Sequence, residues 1–237
     1  MNFSQFGHKF TRQNGITRLM EDMGTGLRTP GTVMLGGGNP AKIPEMEGYI
    51  EALLADMQQS GQLTEALCNY DGPRGKSVLL ESLAAELKEH HGWDITAKNI
   101  ALTNGSQSAF FYLFNLFAGT REDGQKRKVL FPLTPEYLGY ADAGLEEDLF
   151  VSARPTLTLL PEGQFKYHID MDNLAVGEDI GLICVSRPTN PTGNVITDEE
   201  LASRDALARQ HDIPLLIDNA YGLPFPGIIF TEASALW

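Results

Sequence analysis

The chain has 237 residues, 42% of them hydrophobic and 21% charged, and carries a formal net charge of −13. That length can bury a sizeable core, and that balance excludes a disordered chain. The excess of acid argues against a nucleic-acid partner, because such binding neutralises phosphates with Lys and Arg.

The N-terminus has no basic stretch leading into an apolar run, and the longest apolar run, residues 109–119, falls far short of the ~20 residues that a spanning helix needs. Export and membrane insertion are therefore not expected. Cys68 and Cys184 are far apart and lack a CxxC spacing or a nearby His. They read as small hydrophobic residues in a reducing, cytoplasmic protein, with no metal site.

In chain order, residues 1–43 form an N-terminal segment without clear periodicity. Residues 44–58 open on Pro44 and place Met46, Tyr49, Ile50, Leu53, Leu54 and Met57 at helical spacing. A second helix, 76–90, sets Leu79, Leu80, Leu83, Ala84 and Leu87 on one face and stops at Gly92. "NIALT" (99–103) reads as a strand leading to a helix that starts near Ser106. "KVLFPL" (128–133), "GLICVS" (181–186) and "IPLLID" (213–218) read as further buried strands. Between the last two, Thr197 and Glu200 have the spacing of a capping box that opens a helix. Short apolar strands separated by helices predict an α/β fold: a mostly parallel sheet with helices on both faces, spanning 44–237.

In such sheets ligands bind beyond the carboxyl ends of the strands. After 99–103 comes "NGSQ", where Gly105 permits a tight turn and Ser106 and Gln107 open a helix. Free N–H groups there suit an anion, although a plain turn and cap explains the stretch equally well. Asn104 also fits the N-x-S glycosylation pattern, which is set aside because nothing indicates secretion. After 128–133 comes Tyr137, a ring able to stack on a flat ligand or simply an exposed turn aromatic. After 181–186 comes "RPTNPTG", a rigid turn that can aim the Asn190 amide or serve only as a turn. After 213–217 comes Asp218, a carboxylate that calls for a capping role or a cation.

Taken together, N-G-S-Q, P-E-Y, S-R-P-T-N-P-T-G and D-N-A-Y resemble the pyridoxal-phosphate-dependent aminotransferases of fold type I. The stretches "GITRLMEDMGTGLRTPG", "GGGNPAKIPEM" and "ALCNYDGPRGK" are most similar to the bacterial branch that works on valine and pyruvate. The resemblance implies that 44–237 is the cofactor-binding large domain, C-terminally incomplete and without the C-terminal small domain. It assigns Asp218 to the pyridinium nitrogen, where a carboxylate keeps the ring protonated as an electron sink. It assigns Tyr221 and Asn190 to the ring's phenolic oxygen, Tyr137 to the ring face, and Gly105, Ser106 and Gln107 to the phosphate. Gly38 would meet the substrate carboxylate, and Tyr70 would reach a neighbouring subunit's cofactor phosphate in a homodimer.

The resemblance also implies a Schiff-base lysine in a Ser-x-Ser-Lys-like segment after the Asp-x-x-Tyr strand. All eight lysines of the chain precede Asp218 and none has that context. The expectation is an N-terminal part of an aminotransferase, moving an amino group between valine or alanine and pyruvate or 2-oxoisovalerate when complete, and inactive as it stands because the lysine lies beyond Trp237. The alternatives are a non-catalytic fragment that binds pyridoxal phosphate or another protein, and a dinucleotide-dependent oxidoreductase. The latter rests on Gly36, Gly38 and Ala41 as G-x-G-x-x-A with Asp56 behind them, and Pro40 stands against it.

Overall fold

The computed structural model describes residues 2–35 and 42–222. Its helices are α1 (Gln5–Phe10), α2 (Gly15–Arg28), α3 (Pro44–Gln59), α4 (Gln62–Cys68), α5 (Ser77–His91), α6 (Ser106–Phe117) and α7 (Asp198–Gln210). Its strands are β1 (Gly119–Thr120), β2 (Lys126–Phe131), β3 (Phe150–Ser152), β4 (Thr156–Leu159), β5 (Phe165–His168), β6 (Ile180–Ser186) and β7 (Leu215–Asp218). They fall into two compact units, one from Met1–Arg12 with Thr103–Trp237 and the other from Gln13–Leu102.

The sheet lies in the first unit. Its order is β1-β2-β6-β7, with β3 pairing along β2. The β2–β3, β2–β6 and β6–β7 pairs are parallel, and the short β1 runs antiparallel to β2. Side chains alternate across the strands, as a period of two requires. Val129, Phe131, Leu182 and Cys184 join Phe110 and Phe114 of α6 in one apolar cluster, with Leu216 packed against it. Leu130 and Ile183 join Ala208 of α7 in a second, while Val185 and Leu201 share a third. Helices thus cover both faces, which is why all seven residues of β6 are buried and why it reads as an unbroken apolar run.

The capping box that opens α7 is formed: the Glu200 N–H donates to Thr197 Oγ1 at 3.2 Å, and the Thr197 N–H donates to Glu200 Oε2 at 2.7 Å. A Cβ built on Gly181 of β6 would stand 2.0 Å from the carbonyl oxygen of Phe117 at the end of α6. Backbone cannot yield as a side chain does, so Gly181→Ala is expected to destabilise the unit by about 1–3 kcal/mol. Chemical denaturation checks this, and an unchanged midpoint would contradict it.

Two expectations need correction. The N-terminal segment is more regular than its apolar spacing indicates, because local caps start two helices in it. Ser4 Oγ accepts from the Gly7 N–H at 3.0 Å, and Asn14 Oδ1 accepts from the Thr17 N–H at 2.8 Å. Helix α1 is also tethered within its unit: Lys9 donates to the Gly144 carbonyl, and Arg12 pairs with Glu147 at 2.6 Å.

The second correction concerns 99–103, which forms no strand. Ala97–Asn99 is a 3-10 turn in which Thr96 and Asn99 cap each other, so Asn99 is spent on the turn. Leu102 makes a backbone bond to the Arg74 carbonyl at 2.8 Å in place of a ladder. The antiparallel β4–β5 pair was not foreseen either.

In the helical unit, Leu80 and Ala84 of α5 are buried. The apolar stripe of α3 forms at the expected spacing, but Tyr49, Ile50 and Leu54 on it remain exposed.

Candidate functional site

The parallel register places Ser186, the last residue of β6, opposite Asp218, the last of β7. Beyond these two strand ends the chain makes an open cavity of about 160 Å³, lined among others by Ser106, Gln107, Tyr137, Asn190, Asp218 and Tyr221. Six residues singled out by the sequence therefore face one space. Gly105, immediately before α6, has φ of 96° and provides no side-chain cap, so the first-turn N–H groups of α6 have no side-chain acceptor from the residue preceding them.

The Asp218 carboxylate has fixed partners. Oδ1 accepts from the Ala220 N–H at 3.0 Å, and Oδ2 accepts from the Tyr140 hydroxyl at 2.5 Å. The Tyr140 oxygen also lies 2.8 Å from Ser186 Oγ. Burial, and then the bond to Asp218, push the Tyr140 phenol well above its usual range, so it remains a donor.

Glu136 grips the same strand end from another side: its Oε1 accepts from the Ser186 N–H at 3.0 Å and Oε2 from the Tyr137 N–H at 3.3 Å. Burial is the largest cause raising the Glu136 carboxyl above its ordinary value of 4.5, partly offset by the hydrogen bonds from Ser186 and Tyr137. The folded chain thus holds a proton that the unfolded chain releases. The stability from this group is fully present below the ordinary value and is lost as pH rises through the raised one. Glu136→Gln is expected to flatten that decline between pH 4.5 and neutrality. Thermal unfolding followed across this range checks it, and an unchanged slope would contradict it.

The Asn190 turn is anchored rather than loose. Thr189 is buried and pairs with Asn194, while Gly193, with φ of 67°, closes the turn by donating to the Thr189 carbonyl at 2.7 Å. Arg187 at its base is buried and pairs with Asp198 at 2.5 Å. Asn190 Nδ2 then donates to the Tyr221 hydroxyl at 3.4 Å. A Cβ on Gly139 would lie 2.5 Å from both Gln107 Nε2 and Tyr137 Cε1, so this glycine is what lets those two side chains approach each other.

The donor set fits pyridoxal phosphate. An uncapped helix N-terminus suits a phosphate, a carboxylate suits a protonated ring nitrogen, an aromatic side chain suits a flat ring, and an amide–phenol pair suits a ring oxygen. No lysine is among the described residues that line the cavity.

Not every expected residue is in this site. Tyr70 belongs to the helical unit, where it is fully exposed. Gly38 lies outside the described residues, as do Gly36 and Ala41 of the dinucleotide reading. Sequence reasoning missed Glu136, Tyr140 and Ser186. Glu136 and Tyr140 flank Tyr137 in "TPEYLGY", and the visible signal was two further polar side chains just past a strand end.

Comparisons with known proteins identify the family and the fold. The profile of the family described as "Aminotransferase class I and II" matches residues 49–233. The chain is 73% identical over 237 residues to valine–pyruvate aminotransferase of Escherichia coli (strain K12), covering 100% of this chain and 57% of that protein. It is similar to the crystal structure of valine–pyruvate aminotransferase from Salmonella typhimurium LT2, with a TM-score of 0.78 and 67% identity over 94% of this chain and 54% of that one. A double mutant of Thermus thermophilus aspartate aminotransferase shares the fold, at a TM-score of 0.66 and 22% identity over 92% of this chain and 53% of that one. The chain thus spans little more than half the length of these relatives. With its site built on the strand ends of a mostly parallel sheet and a family profile matching most of its length, this chain belongs to the class I and II aminotransferases.

Proposed function

We propose that this chain carries the pyridoxal-phosphate-binding part of an aminotransferase that moves an amino group between valine or alanine and pyruvate or 2-oxoisovalerate. The observation that carries this reading is the convergence of Ser106, Gln107, Tyr137, Asn190, Asp218 and Tyr221 on one cavity. When bound, pyridoxal phosphate supplies an electron sink for a carbanion at the substrate's α-carbon.

The chain's own residues bind and orient. Asp218 accepts the ring N–H and keeps that proton in place. Tyr137 covers a ring face, and Asn190 with Tyr221 holds the phenolic oxygen. Gly105, Ser106 and Gln107 take the phosphate at the positive end of α6. Gly38, outside the described residues, is assigned to the substrate carboxylate, and Tyr70 to the cofactor phosphate of a second copy in a homodimer.

The high identity to the E. coli enzyme supports these substrates. In this reading 44–237 is part of the large domain, 1–43 precedes it, and the protein works in the cytoplasm on small amino and 2-oxo acids. Among the described residues no helix is long and apolar enough to cross a membrane.

A second reading, non-catalytic binding by the chain alone, is favoured by the absence of lysine from the described lining. The lysine of this family anchors the cofactor and acts as general base, and general acid–base catalysis is worth ~10²–10⁴-fold. Turnover by the 237-residue chain is accordingly expected to be negligible. The test is to sequence the encoding DNA through the Trp237 codon and assay the product of the uninterrupted frame. Exchange between valine and pyruvate supports the first reading, and a preference for aspartate over valine overturns the substrate. A genuine stop codon after Trp237 favours the second reading. Under it, borohydride should fix no cofactor to a lysine of the chain, and a fixed adduct would contradict it.

A further inference from the structure

Asp218 ends a strand at the rim of an open cavity, so its carboxylate needs a fixed orientation if it is to meet a ring nitrogen. The hydrogen bonds described for its side chain come from the Ala220 N–H and the Tyr140 hydroxyl, and the second is the shorter at 2.5 Å. Tyr140 is itself immobilised. It is 2% exposed, lies stacked on Phe131 at 5.5 Å, and meets Phe110 edge-on at 4.8 Å and Phe114 edge-on at 5.6 Å. A ring held on three sides cannot swing its hydroxyl away.

A phenol has one proton, and a carboxylate is a stronger acceptor than a hydroxyl. The proton of Tyr140 therefore goes to Asp218, and Ser186 donates its own to the phenol oxygen 2.8 Å away. The chain of donors runs from Ser186 to Tyr140 to Asp218, and the β6–β7 register is what brings its ends together. Glu136 fixes the backbone of Ser186 at the start of that chain and the backbone of Tyr137 beside the cavity.

We propose that Tyr140 is a positioning residue for the cofactor: its hydroxyl fixes the Asp218 carboxylate in the orientation that receives the ring nitrogen of pyridoxal phosphate. The proposal rests on the cofactor reading above and adds to it a residue that need not touch the ligand. The consequence is selective. Loss of the Tyr140 hydroxyl weakens binding only through the ring nitrogen, leaving the phosphate, ring-face and phenolic-oxygen contacts in place.

The experiment titrates the 237-residue chain, wild type and Tyr140→Phe, with pyridoxal phosphate and with its 1-deaza analogue, in which carbon replaces the ring nitrogen. Tyr140→Phe keeps the aromatic packing and should lose about tenfold in affinity for pyridoxal phosphate, the worth of one charge-assisted hydrogen bond, with no loss for the analogue. Ser186→Ala removes the outer donor, together with its side-chain contact to Glu136, and should show a smaller loss with the same selectivity. It also decides the matter should Tyr140→Phe not fold.

Unchanged affinity for pyridoxal phosphate, or an equal loss for both ligands, overturns the proposal, since a merely structural role weakens both alike. If the wild-type chain does not bind pyridoxal phosphate, or binds it no differently after Asp218→Ala, the cofactor reading itself has failed and the proposal falls with it.

Discussion

Asp218→Ala is expected to lower the affinity of this chain for pyridoxal phosphate by roughly 30- to 150-fold, about 2–3 kcal/mol, through loss of a charge-assisted hydrogen bond to the ring nitrogen. An absorbance titration measures it. The fold should survive, because the Tyr140 hydroxyl released by the substitution keeps Ser186 as a partner at 2.8 Å. The unfolding free energy should therefore change by no more than about 1 kcal/mol. A variant that binds as tightly as the wild type would remove Asp218 from the site. A variant that fails to fold would make it a structural residue first.

The largest expected effect on stability is at Phe114 of α6. This ring is fully buried and packs against Phe110, Phe131, Tyr140 and Phe150, with centroids 5.4–6.2 Å away. Phe114→Ala removes the hub of that cluster and leaves a void that four packed rings can fill only in part. The expected cost is about 3–5 kcal/mol, a large share of the total stability of a typical domain. Urea denaturation measures it, and a loss below about 1 kcal/mol would show that the cluster collapses around the gap. The variant should also bind pyridoxal phosphate more weakly than the wild type at temperatures where both are folded, because Tyr140 then loses one of the rings that immobilise it.

These two substitutions show which parts of the molecule were legible in the sequence. The helices α3, α5, α6 and α7 carried their own start or stop signals in Pro44, Gly92, Gly105 and the Thr197–Glu200 pair, and each formed close to the expected position. Strands β2, β6 and β7 were legible from their short apolar stretches, which is clearest in β6, where burial on both faces leaves an apolar run along the strand. The helices α1 and α2 escaped because their caps, Ser4 and Asn14, are single side chains that apolar spacing does not register. Residues 99–103 misled because a short apolar run, here Ile100 to Leu102, says nothing about whether a neighbouring strand exists to pair with it.

The site divides in the same way. Tyr137, Asn190 and Asp218 could be singled out because each follows directly from a strand end, where the sheet's geometry places ligands. The roles of Tyr140, Ser186 and Glu136 depend on pairings 78, 46 and 50 residues apart along the chain, set by strand register and by the turn after β2. No local pattern encodes such pairings. Tyr70, exposed on the helical unit, is a residue whose proposed role requires a second copy of the chain.

The most direct test of the central claim is a crystal structure of the 237-residue chain soaked with pyridoxal phosphate. The account predicts the ring in the cavity beyond β6 and β7, its nitrogen within hydrogen-bonding distance of Asp218, its face against Tyr137 and its phosphate on the first turn of α6 at Ser106 and Gln107. Cofactor bound at another place, or in this cavity with the phosphate turned toward Asp218, would contradict it.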